Sequence, residues 1–180
     1  MRPSPPVVVA IALPLLLAVV VAVIGLTSRG VDTAQPPDTS PLATPPVEAP
    51  DAEGAECTTL LARLDGDLPA AGSTLPVRAL ADPATPGVRA WAASPRPVVL
   101  RCGLPRPAEL TPTSALLEIN GVQWLELDDG VPNPVVLTYV TVDRPVYVVL
   151  TAPVDAGSGP LQIVSDVVGD TLAAAPVAVR

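Results

Sequence analysis

The chain of 180 residues contains no histidine, no lysine and no phenylalanine, and it has only two cysteines, Cys57 and Cys102. Without histidine it lacks the most common general base and the usual partner of a serine or cysteine nucleophile. Without lysine it cannot form a Schiff base or supply the cation of a P-loop. We therefore assign no catalytic, metal-binding or cofactor-binding residue and expect no cofactor. An enzyme built from this chain would depend on carboxylates, serines or one cysteine.

The charge balance is acidic, with 18 acidic residues against ten basic ones and a net charge of −8. All ten basic residues are arginines, and they are scattered singly along the chain. Nucleic-acid binding needs clustered basic residues, so we expect no nucleic-acid partner. The abundance of alanine, valine, proline and arginine is typical of a GC-rich genome.

A long apolar run lies near the N-terminus. Residues 7–26, VVVAIALPLLLAVVVAVIGL, carry no charge, and a helix of twenty residues spans the hydrocarbon core of about 30 Å. A cleaved signal peptide is the alternative, but its apolar region would be shorter and would end in a small-x-small site. The charge bias across the run is slight. We predict a single-pass transmembrane helix with residues 1–6 as a cytoplasmic tail and the rest of the chain outside the cell membrane.

The remaining chain divides into two regions. Residues 27–55 contain six prolines and almost no apolar periodicity, which is typical of a disordered tether. Residues 56–180 are of ordinary single-domain size and are predicted to form the extracytoplasmic domain.

The strongest local patterns of this domain are helical at its two ends. Cys57, Leu60, Leu61 and Leu64 form one apolar stripe, so the sequence predicts a helix over residues 56–64. Near the C-terminus, LQIVSDVVGDTLAAA follows Pro160 and predicts a second helix, with Gln162, Ser165, Asp166, Gly169 and Asp170 on its polar side.

Between the helices the patterns indicate strands. Asn120-Gly121 separates two apolar runs, which is the signature of a type I′ hairpin. The two-residue turn places Ile119 opposite Val122 and Leu117 opposite Trp124. Residues 97–102, 135–142 and 146–151 also read as strands, and residues 66–95 as an irregular crossing. We predict an α+β fold: a mostly antiparallel sheet of about five strands, with both helices packed on one face.

The two cysteines admit two interpretations. An even number of cysteines in an extracytoplasmic domain favours a disulfide between Cys57 and Cys102, which would close the loop that contains the irregular crossing. Such a bond stabilises a domain by roughly 4 kcal/mol in the chain-entropy estimate. The alternative is a reactive Cys102 thiolate activated by Arg101, but no histidine can serve as its base and neighbouring strand residues face opposite sides.

Other candidate sites are weaker. Glu126, Asp128 and Asp129, with Asn133 nearby, could bind calcium, but their spacing does not match an EF-hand loop. A solvated turn is the simpler interpretation. Glu118, Asp128 and Asp143 could act as the paired carboxylates of a glycoside hydrolase, which would need two of them facing each other across a cleft, and the sequence does not place them in this way.

Two aromatic residues and one arginine also have two interpretations each. Trp91 and Trp124 could stack on a ligand, but in a chain without phenylalanine we expect them to fill the core. Arg144 could bind an anion or pair with a neighbouring acid, and pairing is favoured.

The motifs resemble those of a known family. Val99-Leu100-Arg101-Cys102-Gly103 and Val122-Gln123-Trp124 are its most specific parts, and residues 140–148 agree as well. Trp91 is a looser match because a glycine usually follows this tryptophan in the family, whereas Ala92 follows it here. Over residues 56–173 the chain resembles the actinobacterial membrane or secreted proteins called domain of unknown function 3515. The resemblance implies an actinobacterial source and an envelope location, and it implies no activity.

These observations favour a membrane-anchored, non-enzymatic binding or interaction module of the cell envelope. Its partner would be an envelope protein or a small ligand, and its N-terminal helix would contact the membrane. The alternative is a carboxylate-dependent hydrolase of envelope material that uses Glu126, Asp128 or Asp129.

Overall fold

A computed structural model of the protein describes residues 16–21 and 36–179. The chain divides into two compact units, Met1–Gln35 and Pro36–Arg180. Residues 16–21 are helical, and the rest of the predicted transmembrane run 7–26 lies outside the described residues, as does the tail 1–6. Within the described ranges, no helix has the length and apolar character needed to cross a membrane.

The second unit is an α+β fold built on one large antiparallel sheet, as the sequence predicts in outline. The strands are β1 (Leu68–Ala70), β2 (Ser73–Leu75), β3 (Val77–Arg78), β4 (Val88–Trp91), β5 (Val98–Leu104), β6 (Leu117–Ile119), β7 (Val122–Leu127), β8 (Val136–Thr141) and β9 (Tyr147–Pro153). Helix α1 (Ala55–Arg63) precedes the strands, and a short 3-10 turn and helix α2 (Gly159–Thr171) follow them. The large sheet has seven strands in the order β3-β4-β5-β9-β8-β7-β6, and β1 and β2 form a separate two-stranded sheet.

Both helices pack against the same face of the sheet. Alternate residues of each strand face one side, and those on this side join the apolar stripes of α1 and α2 in a single core. Full burial of each large apolar side chain contributes about 1.5–3 kcal/mol. The core includes Cys57, Leu60 and Leu64 from α1, Leu161, Val164 and Val168 from α2, and Trp91, Val98, Leu100, Trp124, Val148 and Leu150 from the sheet.

The predicted strand number was too low. Residues 66–95, read as an irregular crossing, contain the four short strands β1 to β4, of two to four residues each. Strands this short have no periodicity of their own and exist because a neighbour supplies hydrogen bonds. Val77, for example, pairs with Trp91 across the sheet.

The hairpin forms with the predicted register. Leu117 pairs with Trp124 and Ile119 with Val122, and Asn120 and Gly121 both have positive φ. Leu117 nevertheless keeps 42% of its surface exposed, because β6 is the last strand of the sheet.

The described part of the predicted tether belongs to the folded unit. Leu42 pairs with the chain beside β3: its amide donates to Ala79 O at 2.8 Å, and Ala81 N donates to Leu42 O at 2.9 Å. Arg78 forms a 2.6 Å ion pair with Asp38. Residues 38–42 therefore cover an edge of the sheet that would otherwise expose unpaired backbone groups. Prolines do not prevent this, since an edge segment needs few donors. Residues 27–35 lie outside the described part.

Gly103 has a different role from the predicted turn after a strand. It lies inside β5 at a bulge between Cys102 and Leu104, with φ of +86°. A Cβ at this position would overlap the backbone of Asp51 and Ala52. Glycine is needed here because the segment before α1 crosses directly over the bulge.

Candidate functional site

The structure decides between the two interpretations of the cysteines. Cys57 and Cys102 form a disulfide with their Cα atoms 5.5 Å apart, within the usual range. Both residues are buried in the core. Arg101 lies on the other face of the sheet, where it pairs with Val88 and Val149. The predicted disulfide is therefore confirmed, and the thiolate alternative is wrong.

Both tryptophans fill the core, as expected. Trp91 is fully buried and its indole N–H donates to Gly66 O at 2.8 Å. Trp124 is fully buried and donates to the hydroxyl of Ser165 at 2.9 Å. Ser165, which the sequence places on the polar side of α2, is thus a core residue that satisfies the indole.

Arg144 is also held by its own chain. It forms a 2.8 Å ion pair with Asp143 and donates to the carbonyls of Asp143 and Gly121. Its side chain is 3% exposed. These contacts join the turn before β9 to the hairpin turn and leave little of the guanidinium for an external anion.

The acidic cluster forms solvated turns. Glu126, Asp128 and Asp129 are all exposed. Asp128 accepts the amide of Gly130 at 2.8 Å, and Asp129 accepts that of Val131 at 2.9 Å. Side chains that satisfy their own loop in this way are typical of turns. No group of metal-ligating side chains with three or more members occurs in the described residues. The arrangement gives no support to the hydrolase alternative.

The second face of the sheet, the one opposite the helices, carries a groove of about 580 Å³. We call it the proline–valine groove. Val99 of β5 and Thr151 of β9, which are register partners, lie along it. Pro95 and Pro97 line it from the loop before β5, and Val131 and Val135 from the loop before β8. Its volume falls in the range of small-molecule sites.

Charged groups stand at and beside the proline–valine groove. Arg96 and Asp129 line it. Arg101 follows Val99 by two residues on the same face of β5, a step of about 7 Å. Its side chain is partly buried, and this burial lowers the pKa of the guanidinium. The groove thus combines apolar contact area with one arginine and one aspartate in its lining, and a second arginine lies beside it.

Sequence reasoning did not identify this groove. Its walls come from two proline-containing loops, Pro-Arg-Pro at residues 95–97 and Val-Pro-Asn-Pro-Val at residues 131–135. Those residues are 30 or more positions apart, and only the antiparallel order of β5, β9 and β8 brings them together. The signal in the sequence was that a pair of prolines stands just before a valine-rich strand in both places, before β5 and before β8.

A smaller apolar cavity of about 250 Å³ lies between β8, β9 and the start of α2. Its polar side chains are Tyr139 and Ser158. Burial and the nearby charge of Glu126 raise the pKa of Tyr139, so its hydroxyl stays protonated. The cavity therefore offers one neutral phenol and one hydroxyl, and no charged group.

Comparison with known proteins identifies the family and no closer relative. No curated protein matches the chain, and no solved structure matches it either. A family model described as "Protein of unknown function (DUF3515)" matches residues 9–177, and this agrees with the resemblance seen in the sequence. The chain belongs to this family.

Proposed function

We propose that the protein is a membrane-anchored, extracytoplasmic binding module of the actinobacterial cell envelope, and that the proline–valine groove is its binding surface. The apolar run 7–26 would anchor it, with residues 1–6 in the cytoplasm. The buried disulfide between Cys57 and Cys102 supports an oxidising compartment, because such bonds persist outside the cytoplasm.

The observation that carries the binding role is the composition of the groove. Valine and proline side chains give it apolar contact area at little entropic cost, since prolines are already rigid. Arg96 and Asp129 add a few polar contacts that would orient a ligand. Asp129 is the single carboxylate among the described lining residues, and glycoside hydrolysis needs two. Binding is therefore favoured over catalysis.

A photo-crosslinking experiment in living cells tests this role. Val135 lines the groove and is 58% exposed, so a benzoylphenylalanine at this position should not disturb the core. We expect Val135→p-benzoylphenylalanine in the full chain to form an adduct with a specific molecule after irradiation, detected as a mass shift of the peptide that contains residue 135.

The matched control is Leu117→p-benzoylphenylalanine. Leu117 is comparably exposed, at 42%, but it lies on β6 at the edge of the sheet, away from β5. Adducts at position 135 that are absent at position 117 would support a binding groove. Identical adducts at both positions, or none at either, would contradict it.

A further inference from the structure

The arginines of the described residues divide into two groups. Four of them donate hydrogen bonds to oxygen atoms of their own chain, two of these within ion pairs: Arg78, Arg89, Arg106 and Arg144. Within the same described ranges, Arg63, Arg96 and Arg101 have no such partner. Arg63 lies in the last turn of α1, where the helix dipole favours a cation. Of the other two, Arg96 lines the proline–valine groove, and Arg101 lies beside it, two residues beyond Val99 on the same face of β5.

Arg101 is the more unusual of these two. Its neighbours across the sheet are Val88 and Val149, and Val99 precedes it on the same face. It is partly withdrawn from water on an apolar surface, and the described chain provides no carboxylate for it. A cation in this position loses hydration without gaining a counter-charge. An anion from outside the chain would supply the counter-charge that the described residues do not give Arg101.

We propose that the proline–valine groove binds an anionic amphiphile: an apolar chain that lies along Val99 and the groove valines, with a carboxylate or phosphate head at Arg101, while Arg96 at the loop end of the groove adds a weaker, longer-range attraction. This inference rests on the proposed function, since it takes the groove as the binding surface and specifies the chemistry of its ligand.

The charges of the site select a small ligand with one anionic end. Asp129 lines the groove and would repel a second anionic group there. The net charge of −8 disfavours a long polyanion. The apolar lining, in contrast, contributes to binding in proportion to the tail area that it removes from water. Head and tail are therefore recognised by different parts of one groove.

The test uses photoreactive probes with a common tail. Full-length protein in nanodiscs of zwitterionic phosphatidylcholine is irradiated with an eight-carbon carboxylic acid that carries a diazirine at its tail end. Matched probes carry a phosphate, a neutral amide or a trimethylammonium head. Mass spectrometry then measures the labelled fraction of groove peptides, which separates groove binding from probe dissolved in the bilayer. The phosphate and carboxylate arms distinguish the two head groups.

We expect the carboxylate or the phosphate probe to label peptides that contain residues 95–99 or 131–136, and the cationic probe to leave them unlabelled. Arg101→Gln should reduce labelling by the anionic probe about tenfold, as loss of a charge-assisted contact does. Arg96→Gln should reduce it about twofold, because Arg96 is exposed. Arg63→Gln makes the same charge change elsewhere and should have no effect.

Labelling by the neutral amide probe checks the fold of each variant, since this probe needs only the apolar lining. Equal labelling of the groove by neutral and anionic probes, or full labelling of Arg101→Gln by the anionic probe, would overturn the inference. So would absence of groove labelling by every probe. If position 135 still forms a specific adduct with a polypeptide in cells, the groove remains a binding surface and only the ligand class is wrong.

Discussion

The indole N–H of Trp124 donates a 2.9 Å hydrogen bond to the hydroxyl of Ser165, which in turn donates to the carbonyl of Leu161 at 2.7 Å. Trp124 and Ser165 are completely buried. This chain of two bonds joins β7 to α2 and satisfies the one polar group of the largest side chain in this part of the core. A buried donor of this kind is costly when it lacks a partner.

Ser165→Ala should therefore destabilise the protein by about 1–3 kcal/mol, because it leaves the indole N–H of Trp124 without an acceptor. Urea unfolding of the full chain in micelles, followed by tryptophan fluorescence, measures this directly, since Trp91 and Trp124 both lie in the core. The matched control is Ser73→Ala on an exposed strand position, which should change stability by less than about 0.5 kcal/mol.

The double variant separates the hydrogen bond from packing. Trp124→Phe removes the donor, so adding Ser165→Ala to it should cost less than Ser165→Ala alone. Fully additive losses would show that the hydrogen bond is not responsible.

Gly103→Ala should destabilise the protein by about 1–3 kcal/mol for the strained backbone conformation alone. The φ of +86° is unfavourable for alanine, and the added Cβ would meet the backbone of Asp51 and Ala52. Gly66→Ala is the matched control, since nothing lies within 4 Å of a Cβ there. Equal unfolding midpoints for the two variants would contradict the close crossing at the bulge.

The attachment of residues 36–42 to the sheet should weaken in acid. Hydrogen bonds from the Ser40 hydroxyl and amide, together with the ion pair with Arg78, lower the pKa of Asp38 below its ordinary value of 3.8. A carboxylate with a lowered pKa stabilises the folded state above the ordinary pKa, and this contribution is lost as pH falls through the lower, folded value.

Hydrogen exchange at the Leu42 amide, which donates to Ala79 O, reports this attachment. Corrected for the intrinsic exchange rate, its protection should be constant near neutral pH and should fall below about pH 4. Asp38→Asn should have lower protection at neutral pH and little further loss in acid. A variant with the same acid-dependent loss as the native chain would exclude Asp38 as the titrating group.

Local patterns predicted the elements that carry their own periodicity or turn chemistry. The apolar stripe at Cys57, Leu60 and Leu64 located α1 to within one residue at each end, and Asn120-Gly121 fixed the hairpin register. These features depend on residues a few positions apart, so one sequence contains the necessary information. The disulfide was predicted from the even number of cysteines and from the predicted extracytoplasmic location of the domain.

The rest depends on partners distant in sequence. Leu42 is ordered because Ala79 and Ala81 offer it backbone hydrogen bonds, and composition alone indicates only that residues 36–55 cannot fold by themselves. Ser165 looks like a surface residue until Trp124 is placed above it. The proline–valine groove likewise needs Val99 and Thr151 to be neighbours, which follows from strand order and not from either local pattern.

The predicted orientation places the C-terminus outside the cytoplasmic membrane. An epitope fused after residue 180 should be removed when proteinase K is added to intact spheroplasts, while an epitope before residue 1 should be removed only after permeabilisation. A cytoplasmic marker protein that stays intact controls for leakage. Protection of the C-terminal epitope in intact spheroplasts would reverse the orientation and remove the basis for an envelope role.

Loss of the disulfide should destabilise the protein more than loss of any other single contact discussed above. Cys57 and Cys102 are 45 positions apart, and opening a loop of this length costs roughly 4 kcal/mol in the chain-entropy estimate. Cys57→Ala with Cys102→Ala should therefore lower the free energy of unfolding by about that amount, measured by urea unfolding with tryptophan fluorescence. Ellman titration of the denatured, unreduced native chain should detect no free thiol. Two thiols per chain would mean that the bond does not form in the cell, and the argument for an oxidising compartment would lose its support.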